Sequence, residues 1–162
     1  MGFLILLGFI ALAALSIWAR NAFWKAANQK VIMRKSHARG QSAIKATTTF
    51  VVPGSSAADV VTTVVDTLGY PTTKRAVAGE MVLLDTTDSS ASFSLANKFH
   101  ESWVSRLLVA DEADGAHGSY QVLRWTLNDG IALGSKEMEI VARRVSEVIT
   151  GMGGTVTIQV PE

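Results

Sequence analysis

The sequence predicts an α+β domain carried behind an N-terminal transmembrane helix, with a basic juxtamembrane extension between the two. Three observations lead there. Residues Gly2 to Trp18 form an almost unbroken apolar run. The first acidic side chain is Asp59: residues 1–58 hold seven Lys/Arg and no Asp/Glu, whereas residues 59–162 hold eight and fourteen. Beyond residue 43, β-branched and alternating segments cluster between two capped helical segments. That order describes an antiparallel sheet covered on one face by two helices. The expected division is therefore 1–19 anchor, 20–42 basic juxtamembrane helix or linker, and 43–162 globular domain.

A net charge of +1 over 162 residues conceals this polarity. The length allows one domain of ordinary size besides the anchor. Cysteine is absent, which excludes structural disulfides, thiolate zinc sites and cysteine nucleophiles.

Phe3 to Trp18 is close to the minimum helical length that spans a hydrocarbon core. A cleaved signal peptide would place Lys or Arg before the apolar run and a small-residue site after it. Here Ala11-Leu12-Ala13 falls inside the run, so an uncleaved anchor is the expectation. All nearby cations follow the span, which puts the C-terminal domain on the cytoplasmic side. Trp18, Arg20, Trp24, Lys25, Lys30, Arg34 and Lys35 are the expected membrane-interface residues. The basic stretch, free of Gly and Pro from residue 19 to 37, reads as a helix running on until Gly40. It reads as ordinary stop-transfer charge, with attraction to anionic headgroups as the sharper alternative. A nucleic-acid surface is not expected, because the acidic remainder would repel phosphates.

In the domain, Ile44 to Val52 is rich in β-branched residues and stops at Pro53-Gly54, a strand. Ser56 and Asp59 form a capping-box pattern for a helix through Leu68, with Val61, Val64, Val65 and Leu68 as its buried stripe. Gly69 and Pro71 end it. Strands are expected at 74–78, 81–85, 91–96, 102–110 and 119–128, the last two joined by the polar connection 111–118. A final helix, capped by Ser135, runs from Lys136 to Thr150 with Met138, Val141, Val145, Val148 and Ile149 inward, and Glu139 and Arg143 at ion-pair spacing. Thr155 to Val160 is the last strand.

Candidate chemistry is sparse. Asp111 to His117 gathers oxygen and nitrogen donors, but counting from Asp111 the third position is Ala113 and the twelfth Val122. A calcium loop needs ligands at both, so this is a solvated hairpin tip. His100 and Glu101 are adjacent on a strand and point to opposite faces. Ser55 and Ser56 lack the phosphate-loop spacing, and Gly151 to Gly154 follows a helix where a dinucleotide site follows a strand. Trp103 and Trp125 are expected in the core, or lining an apolar pocket if the helices stand off the sheet. No catalytic constellation, metal site or cofactor is expected. The chain reads as a non-enzymatic, single-pass accessory or scaffolding subunit of a membrane complex, with an integral-membrane protein or further copies of itself as partner. A membrane-tethered binder of an apolar molecule in a helix-over-sheet pocket is the alternative.

Overall fold

The computed structural model describes residues 16–20, 22, 34–73, 77–128 and 131–161. The elements run α1 (Arg34–Lys45), β1 (Thr47–Pro53), α2 (Ala57–Leu68), β2 (Glu80–Thr87), β3 (Ser90–Ala96), β4 (Glu101–Glu112), β5 (Gly115–Trp125), β6 (Leu127–Asn128), β7 (Ile131–Ala132), α3 (Ser135–Gly151) and β8 (Thr155–Gln159). Six strands form one antiparallel sheet in the order β2-β3-β4-β5-β1-β8, and β6 pairs only with β7. The fold is α+β.

The α2 helix forms as its caps dictate. The Ser56 hydroxyl accepts from the Asp59 N–H while the Asp59 carboxylate accepts from the Ser56 N–H, and Gly69 closes the helix at φ 62°. A further anchor comes from across the chain: Asp111 Oδ1 accepts the Ala57 N–H at 2.6 Å, placing a carboxylate at the positive end of the helix. Val60, Val61 and Val64 are buried against Phe93 and Leu107 of the sheet, together with Val141, Val145 and Ile149 of α3. Two buried hydroxyls are paired within the sheet. Ser94 donates to the Trp103 carbonyl at 2.7 Å and Tyr120 to the Ser105 hydroxyl at 2.9 Å.

Several expectations need correction. The helix expected to end at Gly40 continues to Lys45, so Ile44 and Lys45 are helical and β1 starts at Thr47. Gly40 is buried there, and a Cβ on it would lie 3.2 Å from that of Ala132. The missing side chain lets α1 close on β7 and α3, so that it packs as a third helix of the domain. Ser135 does not cap α3: the N-cap is Gly134, left-handed at φ 70°, with no side-chain cap bond. A side chain at 134 would run into Leu95 and Trp103, so close packing selects glycine over a capping residue. On α3, Arg143 forms an ion pair with Glu147, one turn further along the helix, at 3.2 Å.

The polar connection expected at 111–118 shrinks to a turn at Ala113-Asp114, because both strands continue into it. Of the strand expected at 74–78, Lys74 to Ala76 lie outside the described residues, and Val77 and Ala78 form a bend. The β4–β5 register shifts between Val104 and Ser105, which pair with Arg124 and Val122 and leave Leu123 as a bulge. Strict alternation therefore ends at Val122, and Trp125 is 41% exposed while Trp103 is buried as expected.

Among the described residues no helix is long and apolar enough to cross a membrane. Most of the expected span lies outside the described residues; 16–20 and 22 are helical and exposed.

Candidate functional site

Where α1 and α3 cross the β1–β5 part of the sheet, small residues face one another. Ala43 on α1, Ala46 just past its end, and Ala142 and Ser146 on α3 leave a gap that larger side chains would close. The result is a pocket of about 370 Å³, within the size range of small-molecule sites. Tyr120, Val122 and Thr48 form its sheet-side wall, Met138 closes one side, and Ile158 and Val160 stand at the edge. Ile158 and Val160 are half-exposed or more, so the pocket opens past the β8 edge of the sheet. Glu139 and Arg143 on α3 also line it and bring charge to an otherwise apolar wall.

The lining is apolar partly because its polar atoms are already used. Ser146 donates back to the Ala142 carbonyl at 2.9 Å. The Tyr120 hydroxyl donates to Ser105 at 2.9 Å, and burial pushes its phenol above the usual range despite that bond. What the pocket offers a ligand is hydrocarbon surface, with ions near its margin. That suits a chain or ring that gains by leaving water.

A second, more open depression of about 450 Å³ lies at one end of the sheet, where the 97–100 loop meets the end of β5. Lys98, Phe99, His100, Arg124, Trp125 and Thr126 line it. His100 Nε2 lies 3.1 Å from the Thr126 hydroxyl, and Arg124 forms an ion pair with Glu101. His100 and Glu101 thus engage different partners. Trp103 Nε1 is a buried donor with no partner.

At the opposite end, the β4–β5 hairpin brings Glu112, Asp114 and His117 together, their ligand atoms within 4.8 Å of one another. His117 Nε2 lies 2.8 Å from Asp114 Oδ1, and its Nδ1 lies 3.8 Å from Glu112. The His117 hydrogen bond holds the Asp114 carboxyl below the usual carboxylate range. The two carboxylates are exposed and the three side chains brace one another across a tight turn. The sequence gathered these donors in one segment and read it as a solvated hairpin tip; the longer strands bring three of them together across a tight turn.

Of the expected membrane-interface residues, Trp18 and Arg20 are helical and exposed, and Arg34 and Lys35 open α1. Trp24, Lys25 and Lys30 lie outside the described residues. The apolar pocket is not lined by Trp103 and Trp125, which the sequence offered as its walls only if the helices stood off the sheet. Its signal was the small residues on α1 and α3 at helical spacing.

The chain is thus an α+β protein with an antiparallel six-stranded sheet and an apolar pocket beneath its helices. No protein-family model, curated protein or solved structure matches it.

Proposed function

We propose that the protein is a membrane-tethered, non-catalytic binder of an apolar small molecule or lipid, held between α1, α3 and the sheet. The pocket of about 370 Å³ is the observation that supports this reading. Its self-satisfied polar atoms favour hydrocarbon over a hydrogen-bonding substrate. The apolar segment at 2–18 and the acid-free basic stretch after it support the tether. The accessory-subunit reading shares that tether but names no ligand, and the pocket favours binding.

Native mass spectrometry of the full chain, released from mild detergent, tests the proposal. The expected result is a fraction of protein carrying a retained apolar mass. That fraction falls when Ala142→Leu narrows the gap. A clean unliganded mass in several detergents, from protein purified out of the cells that made it, would overturn the reading.

A further inference from the structure

The register sorts the loops into two poles of unlike character. β1 begins opposite Gln121 and Gln159 and ends opposite Gly115. One end of the sheet therefore collects the 97–100 loop, the β6–β7 hairpin and the C-terminal end of β8. The other collects the turns at 88–89 and 113–114 and the start of α2. That far pole carries Asp59, Asp88, Asp111, Glu112 and Asp114, with no Lys or Arg in segments 53–59, 86–90 and 111–117.

The near pole is different. Phe99 is 83% exposed, and Leu127, Leu123 and Trp125 are each more than two-fifths exposed. Lys98 and Arg124 stand among them. α1, with four Lys/Arg and no acid, packs against β7 at this pole. The chain reaches α1 from the apolar segment and its cations. An aromatic and aliphatic cluster that holds Lys98 and the Arg124–Glu101 pair, at a pole against which the basic helix α1 packs, fits the interface of an anionic bilayer. The acidic pole is repelled from the same surface.

We infer that the near pole, centred on Phe99, Trp125 and Leu127, is a bilayer-docking surface that holds the domain on anionic lipid in one orientation. The inference rests on the membrane-tethered reading. It goes further, because a tether alone leaves the domain free to tumble. Thr48, Tyr120 and Ile158 stand in register one position inside the β1 start. Docking therefore also brings the mouth of the apolar pocket close to lipid.

The chain has no cysteine, so single cysteines can be labelled uniquely with an environment-sensitive fluorophore. Phe99→Cys and Leu127→Cys test the near pole and Asp114→Cys the far pole, each in the full chain reconstituted into vesicles containing phosphatidylserine. The expected result is a roughly twofold or greater rise in emission with a blue shift at 99 and 127, and neither at 114. Neutral phosphatidylcholine vesicles should weaken the response at 99 and 127. Labels that stay water-exposed while the protein floats with the vesicles would overturn the docking and leave the tether standing. A chain that does not float with vesicles would overturn both. Rapid disulfide dimerisation of Leu127→Cys would assign the patch to a second copy and overturn it as well.

Discussion

Phe50 and Gly118 face each other on adjacent strands, and the phenyl ring fills the space that a side chain at 118 would need. Phe50 is 3% exposed. The ring thus covers a strand position where glycine offers no packing surface of its own.

Gly118→Ala should destabilise the domain by about 1–3 kcal/mol, since the new methyl meets both the ring and the Leu108 carbonyl. Combining it with Phe50→Leu should recover part of that loss. Urea unfolding of the two single variants and the double checks this, and simple additivity would show that the ring and residue 118 do not touch in solution.

Gly134→Ala combines a left-handed backbone with a collision against Leu95 and Trp103. A cost of about 2–3 kcal/mol is expected, more than an exposed left-handed glycine would show. Gly153→Ala, also at positive φ but with open space around it, supplies the comparison. Equal losses in thermal unfolding would remove packing as the reason for glycine at 134.

Leu107 is fully buried and outside the apolar pocket, so Leu107→Ala should cost about 2–5 kcal/mol while retained ligand persists. Ala142→Leu should do the reverse, with little loss of stability and no ligand. If both variants lose ligand in proportion to stability, binding is a by-product of folding rather than of the cavity.

Tyr120→Phe leaves the buried Ser105 hydroxyl without its donor, at a cost of about 1–3 kcal/mol. Because burial raises its phenol above the ordinary range, Tyr120 stays neutral in alkali until the domain unfolds. Tyrosinate absorbance against pH, followed beside circular dichroism, reads this directly. Full ionisation of both tyrosines before any loss of structure would contradict it.

The Asp114 carboxyl, held low by His117, gives a pH dependence of definite sign. A folded value below the unfolded one means the native state binds fewer protons in acid. The pair therefore favours folding above about pH 4 and loses that effect as pH falls through the folded value. In a carboxyl NMR titration, His117→Ala should move the Asp114 midpoint up toward about 3.9. An unmoved midpoint would mean the contact is not populated.

The sequence made the order of elements along the chain and the capped α2 helix legible, because both rest on local rules: alternation, β-branching and a Ser-x-x-Asp cap. It misled where distant residues decide. Gly40 read as a stop and Gly134 was passed over for Ser135 as the cap, yet each is glycine where another element approaches within van der Waals reach. Trp125 read as core, yet it stands 41% exposed past a bulge at Leu123, and a bulge is a property of two strands, not one. The pocket was anticipated in kind but assigned to the tryptophans, whereas it arises from alanines that the periodic pattern counts merely as apolar.

The position of β1 bears on how the chain is made. It lies between β5 and β8, so its partners are residues 115–121 and 155–159. On a ribosome, β1 waits for a neighbour through the synthesis of α2 and the β2–β4 meander, and its outer edge stays open until the last strand is free. Pairings that distant close slowly. On the proposed membrane tether, the upstream apolar segment emerges before the domain, so its partitioning into a bilayer would precede completion of the domain. The fold would then be finished beside the membrane rather than delivered to it.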